Sequence, residues 1–154
     1  MPKSNELDHI ELVRKGLKHH EAFRYEKALG FFDRALELCP TCPIARYDRA
    51  NTLHCLDRDE EARPIFAVLA EASDQELREE CPDFIESPRS MRLDSSYMLF
   101  LTTLYATGSW EQSVGFAETH LRNRARGLRS LFSRKDVVDQ IESLRIQFAA
   151  TPNP

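Results

Sequence analysis

The amino-acid sequence predicts an all-α protein built from consecutive pairs of antiparallel helices. Strands find little support, because the 154 residues show no sustained alternation of apolar and polar positions and contain only five glycines. Apolar residues instead recur every three or four positions along most of the chain, as on one face of an α-helix. The pattern also repeats, since RYEKALGFF (24–32) aligns with RDEEARPIF (58–66) after a shift of 34 residues. We therefore expect a stack of similar helix pairs.

Two helix pairs follow directly from the apolar spacing. The first pair is predicted over residues 8–22 and 25–38, and the second over residues 43–56 and 59–72. The sequence LDRD breaks the second pair where the chain must turn back. Each predicted stretch has the length of an ordinary helix in a globular protein.

A third pair and a final helix complete the predicted array. The third pair covers residues 93–107 and 110–125, and Gly108 between them suits the left-handed end of a helix. The final helix, residues 133–149, begins with the sequence SRKD, which matches a capping box. Phe132 in front of it is expected to pack against Val137, as a hydrophobic staple does.

The spacing of the third pair indicates an insertion. In SWEQSVGFA (109–117), Ser113 stands where Ala62 stands in the second pair, 51 residues later, which is 34 plus 17. The 17-residue insert corresponds to about 77–93, and we expect it to loop out because it holds Pro82 and Pro88.

These motifs resemble the tetratricopeptide repeat (TPR) family, whose unit is a helix pair of 34 residues. Repeat 1, residues 9–42, matches the family pattern at Leu12, Gly16, Tyr25, Ala28, Phe32, Ala35 and Pro40. Repeat 2, residues 43–76, keeps Ala50, Leu53, Ala62 and Phe66 but has Asp74 at the usual proline. Repeat 3, residues 94–127, keeps Leu104, Gly108, Trp110 and a small Ser113, with Leu101 at the usual glycine. The resemblance covers about 100 of 154 residues and implies one domain, 1–154: a superhelix of three helix-turn-helix pairs with a capping helix at 133–149.

The resemblance also implies a function and a binding surface. TPR domains are non-enzymatic adaptors or scaffolds that hold a peptide or a partner protein in a concave groove, and the first helix of each pair lines that groove. The matching positions here are Val13, Leu17 and His20, then Tyr47, Asp48, Asn51 and His54, then Met98, Leu99, Thr102 and Tyr105. The sequence allows both an accessible groove and a groove filled by the 77–93 insert.

One specialised TPR function is not supported by the residues. TPR domains that hold the acidic tails of heat-shock chaperones use a clamp of two lysines, two asparagines and an arginine. The matching positions carry Val13, Leu17, Asp48, Ser95 and Leu99, so no clamp residue is retained. Asp48 would also repel a carboxylate.

Cys39 and Cys42 form a Cys-x-x-Cys pair that admits two interpretations. Zinc sites use this spacing but need four ligands, and the next candidates, His54 and Cys55, lie at the far end of a helix about 18 Å long. Cys81 on the insert leaves the set one ligand short. A redox centre would need a lowered thiol pKa, which the start of a helix at Cys42 favours. We interpret the pair as a structural turn with no bound metal, and keep a metal-binding or redox-sensing module as the alternative.

Composition and charge exclude several classes of protein. The sequence carries no motif for nucleotide binding, hydrolase or metalloprotease chemistry, so we expect no enzymatic activity and no cofactor. It has no apolar run long enough to cross a membrane and no secretory signal, which predicts a cytoplasmic protein with reduced thiols. The net charge of −4 argues against nucleic acid as the partner. The six basic residues of 122–135 remain the exception, either as a patch for RNA or an acidic peptide or as a connector packed on the core.

Overall fold

The described part of the chain is all-helical, as the sequence predicts. A computed structural model describes residues 3–80, 88–124 and 130–149. Its helices are α1 (Lys3–Glu21), α2 (Tyr25–Leu38), α3 (Pro43–Cys55), α4 (Asp59–Glu71), α5 (Asp74–Glu80), α6 (Pro88–Thr107), α7 (Trp110–Arg124) and α8 (Arg134–Ala149). Helices α1 and α2, α3 and α4, and α6 and α7 pack as neighbouring pairs, while α2 packs on α3 and α4 on α6. The fold is therefore a stack of helix pairs, with α8 against the last pair.

The turns inside the three pairs share one backbone conformation. Phe23, Asp57 and Gly108 have positive φ angles of 60°, 58° and 67°, and they are spaced by 34 and then by 51 residues. A left-handed residue at this point ends the first helix of each pair and turns the chain towards the second. Gly108 confirms the sequence prediction. Phe23 and Asp57 adopt the same conformation without the freedom of glycine.

The interior divides into two clusters of buried side chains. The N-terminal cluster joins α1, α2 and α3 through Val13, Ala28, Phe32, Ala35, Cys42 and Ala45. The larger cluster runs from α3 to α8 and includes Leu53, Phe66, Phe100, Leu104, Val137 and Leu144. In α6 every residue from 93 to 104 is buried, so this helix is the centre of the larger cluster.

The described ends of the predicted insert do not loop out. Residues 77–80 belong to α5 and residues 88–93 to α6, and Leu77 and Leu93 are both buried. A capping box begins α5: Ser73 N–H donates to Glu76 Oε2 (2.8 Å), and Glu76 N–H donates to Ser73 Oγ (3.1 Å). Arg92 of α6 then donates to the Ala72 carbonyl (3.2 Å) and pairs with Asp74. Pro88 does not prevent helix formation, because it begins α6, where proline is tolerated. Pro82 and Cys81 lie outside the described residues.

The start of α8 confirms its predicted cap. Asp136 N–H donates to the Ser133 hydroxyl (3.1 Å), and the helix begins at Arg134. Val137 is buried, and Phe132 packs against the same cluster. The apolar stripe of α8 therefore covers the last helix pair, as a terminal cap must if the array is to keep apolar surface out of water.

Candidate partner-binding face

The predicted groove residues lie on α1, α3 and α6, the first helices of the three pairs. His20 Nδ1 of α1 lies 2.9 Å from Thr52 Oγ1 of α3, and the rings of His54 in α3 and Tyr105 in α6 lie 5.8 Å apart. These two contacts connect the three helices. They place the C-terminal ends of α1, α3 and α6 along one surface.

Five of the eleven predicted groove residues are buried rather than available. They are Val13, Tyr47, Met98, Leu99 and Thr102. Val13 belongs to the N-terminal cluster, and the Tyr47 ring packs edge-on against Phe66 at 5.4 Å. These positions contribute to stability, and a partner has no access to them in this conformation.

The C-terminal segment of the chain contacts α6 through two aromatic side chains, Phe132 and Phe148. Tyr97 packs against Phe132 with ring centroids 4.9 Å apart, and Tyr105 packs edge-on against Phe148 of α8 at 6.1 Å. These aromatic contacts therefore lie along α6, the helix on which three of the predicted groove residues are buried. Tyr105 remains 46% exposed at the end of α6.

Six predicted residues stay accessible, and we call them the first-helix face. They are Leu17, His20, Asp48, Asn51, His54 and Tyr105, all partly or largely exposed. Unlike the buried five, most of them carry a hydrogen-bonding group. The face therefore offers an amide, two imidazoles, a phenol and a carboxyl group beside one aliphatic side chain.

Hydrogen bonds set the orientation of the two histidines. The Thr52 hydroxyl donates its proton to the Asp48 carbonyl (2.7 Å), so its oxygen accepts a hydrogen bond from His20 Nδ1–H. Burial lowers the pKa of His20, opposed by the charge of Glu21, which favours the neutral imidazole. His54 Nδ1 pairs with Asp59 Oδ1 at 2.5 Å, and this bond holds its ring beside Tyr105.

The carboxyl group of Asp48 is not a simple negative charge. Burial, with a smaller contribution from the nearby Cys42 thiol, raises its pKa to about 7. At neutral pH the group is thus divided between its charged and neutral forms. The first-helix face consequently carries little charge, and the repulsion of acidic ligands expected from the sequence is weaker than for an ordinary aspartate.

Part of the basic stretch 122–135 packs on α6. The Asp94 carboxylate of α6 accepts hydrogen bonds from Ser130 Oγ and from Leu131 N–H, the latter at 3.0 Å. Arg124 donates to the Phe132 carbonyl (2.6 Å). These contacts favour the connector interpretation for Arg124 and residues 130–132, whereas Arg122, Arg134 and Lys135 are exposed and residues 125–129 lie outside the described part.

One possible metal ligand beside the cysteine pair was not among the candidates predicted from the sequence. His9 of α1 lies with Cys39 and Cys42 in a group whose potential ligand atoms are all within 4.8 Å of one another. The repeat pattern could have revealed it, because the first residue of an antiparallel helix pair lies opposite the end of the second helix. As expected, His54 and Cys55 are not part of this group.

Within the described ranges 3–80, 88–124 and 130–149, no helix combines the length and apolar character needed to span a bilayer. Comparisons of this chain with protein-family models, with curated proteins and with solved structures found no match. The relation to the TPR family therefore stays a prediction that rests on the sequence motifs.

Proposed function

We propose that this protein is a non-enzymatic interaction module that binds a peptide segment of a partner protein on the first-helix face. The observation that supports it is the accessibility of Leu17, His20, Asn51, His54 and Tyr105, which come from three helices far apart in the chain. Side chains of this kind fix the orientation of a ligand when a rigid scaffold holds them. The helix pairs supply that scaffold.

The chemistry of the face selects the class of ligand. Tyr105 and Leu17 provide apolar contact area, and Asn51 provides an amide that can both donate to and accept from a peptide backbone. The lowered pKa of His20 and the raised pKa of Asp48 keep the charge of the face small at neutral pH. An amphipathic segment, helical or extended, fits these groups better than an acidic tail does.

A double variant tests this proposal. Asn51→Ala with Tyr105→Ala removes the amide and the aromatic ring from the face, while Val68→Ala serves as the control, because Val68 is 58% exposed on α4 outside the face. Tagged wild-type chain first identifies partners by pull-down and mass spectrometry. Affinities of the three chains for a purified partner are then measured, with helix content checked by circular dichroism.

We expect the double variant to keep its helix content and to bind at least about tenfold more weakly, and the Val68 control to bind normally. Binding by the wild-type chain should change little between low and high salt, because few charged groups contribute to it. Equal affinity of the double variant and the wild type would place the interaction elsewhere and refute the proposal.

A further inference from the structure

Three metal-ligating side chains converge where the N-terminal helix pair meets α3. Cys39 directly follows the last residue of α2, Cys42 directly precedes α3, and His9 belongs to α1. The turn between the cysteines is closed by a hydrogen bond from Cys42 N–H to the Cys39 carbonyl (3.1 Å). Antiparallel packing of α1 on α2 then brings His9 to the same end of the pair.

Burial makes this histidine unusual. His9 is only 5% exposed, and its Nε2 atom is buried without a hydrogen-bond partner. A buried polar atom left in this state costs free energy that a ligand can recover. Cys42 is 1% exposed, whereas Cys39 is partly exposed, so solvent reaches the group from the Cys39 side.

The separations suit a tetrahedral ion. Zn–S bonds of about 2.3 Å and Zn–N bonds of about 2.0–2.1 Å place tetrahedral ligand atoms about 3.5–3.8 Å apart. The three ligand atoms lie within 4.8 Å of one another, so small side-chain rotations complete the set. Neither Cys39 nor Cys42 is in a disulfide, so each can lose its thiol proton to a metal.

We propose that His9, Cys39 and Cys42 bind one Zn²⁺ ion through three protein ligands, with a water molecule in the fourth position on the exposed side of Cys39. Binding releases one proton from each thiol, so two thiolates neutralise the charge of the ion in a largely buried site. The neutral imidazole donates the lone pair of its otherwise unpartnered nitrogen. Two thiolates, one imidazole and a water form a known zinc coordination set, and soft ligands favour zinc over magnesium or calcium.

This site shares no residue with the first-helix face, although Cys42 lies near Asp48 of that face. The two proposals are tested by different measurements, metal binding here and partner affinity there. Its effect on the protein is to tie α1 to the turn between α2 and α3. A metal that binds only the folded chain stabilises it in proportion to the logarithm of its concentration. Zinc should therefore raise the melting temperature of the metal-free protein.

Metal analysis of the full-length chain tests the proposal. Metal-free protein is titrated with Zn²⁺ against a colorimetric chelator, and separately with Co²⁺, whose visible absorption reports tetrahedral geometry and thiolate ligation. The variants are His9→Gln and Cys42→Ser, and the control is Cys55→Ser, because Cys55 is a free thiol outside the group. Melting temperatures are recorded with and without zinc.

We expect one zinc per chain, tetrahedral Co²⁺ bands with thiolate charge transfer, and a zinc-dependent rise in melting temperature that the Cys55 control retains. His9→Gln should weaken zinc binding by more than the roughly 10–100-fold that loss of a supporting partner costs, while the metal-free variant keeps its helix content. Zinc affinity unchanged in His9→Gln, or no stoichiometric zinc binding by the reduced wild-type chain, would overturn the proposal. A Cys39–Cys42 disulfide in the purified protein that persists when zinc is present during purification would overturn it as well.

Discussion

Single side chains determine how closely the two helices of a pair approach each other. In the first pair a Cβ atom added at Gly16 would lie 2.6 Å from the ring of Phe32, which is fully buried. The equivalent positions of the third pair, after shifts of 34 and 51 residues, are Leu101 and Ala117, so the large and the small residue exchange places. Both are buried in the larger cluster. The third pair therefore departs from the repeat pattern in sequence, but the summed side-chain volume of the two positions stays similar.

Replacing Gly16 with alanine should destabilise the protein. The added methyl group forces the Phe32 ring or α1 to move, and overpacking of this kind costs about 1–3 kcal/mol, more than the helix propensity that alanine restores. Gly30→Ala is the matched control, because Gly30 is also in a helix and a Cβ there meets nothing within 4 Å. Chemical denaturation should show the control slightly more stable than the wild type; if both variants gained stability equally, the close approach of α1 and α2 would be refuted.

At the scale of the element, α8 shows how a helix can close an array without forming part of a pair. Its buried residues Val137 and Leu144 pack into the larger cluster, and Phe148 contacts Tyr105 at the end of α6. The connector before it is attached by Asp94, which accepts from Ser130 and Leu131. The helix thus covers apolar surface of the last pair and contacts one predicted groove residue, Tyr105.

Two aliphatic residues of α8, one buried and one exposed, test this role. Leu144→Ala should cost about 2–5 kcal/mol of unfolding free energy, because Leu144 is 2% exposed and its loss leaves a cavity. Ile146→Ala, at a position 62% exposed on the same helix, should change stability by less than about 1 kcal/mol. Thermal or urea denaturation of the two variants measures the difference. Similar small effects at both positions would show that α8 does not cap the array.

The whole molecule has an uneven distribution of buried surface. The N-terminal cluster holds α1 to α2 and α3, whereas the larger cluster surrounds α6 with α3, α4, α7 and α8. In stacked helical arrays each pair contacts only its neighbours, so stability varies along the chain. Helix α1 packs against other helices on one side only. Its local unfolding should therefore cost less free energy than that of α6, which is enclosed on all sides.

Native-state hydrogen exchange measures this difference. In metal-free protein we expect amides in the middle of α6 to have protection factors at least about tenfold higher than amides in the middle of α1, because opening α6 exposes the larger cluster. Both helices have regular backbone hydrogen bonds, so each serves as the other's internal control. Equal protection in α1 and α6 would mean that the two clusters unfold as one unit.

The amino-acid sequence by itself determined the features that depend on neighbours within one helix pair. The bounds of α2, α3 and α4 agree with their prediction to within one residue, and Gly108 adopts the left-handed conformation expected of it. These features follow from apolar spacing, helix caps and glycine, all of which are local. Gly16 belongs to the family pattern that repeat 1 matches, and its close approach to Phe32 lies within one helix pair.

Only the tertiary structure decided which predicted groove residues are accessible and what surrounds the cysteine pair. Tyr47 and Leu99 occupy positions that the family resemblance places in the groove, yet they are buried, because other parts of the chain cover them. His9 stands 30 residues before Cys39, and the antiparallel packing of α1 on α2 brings the two together. Contacts of this kind arise from the packing of helices that are distant in the sequence, and local apolar spacing does not specify that packing. The burial of each residue and its contacts with other helices are therefore determined only by the tertiary structure.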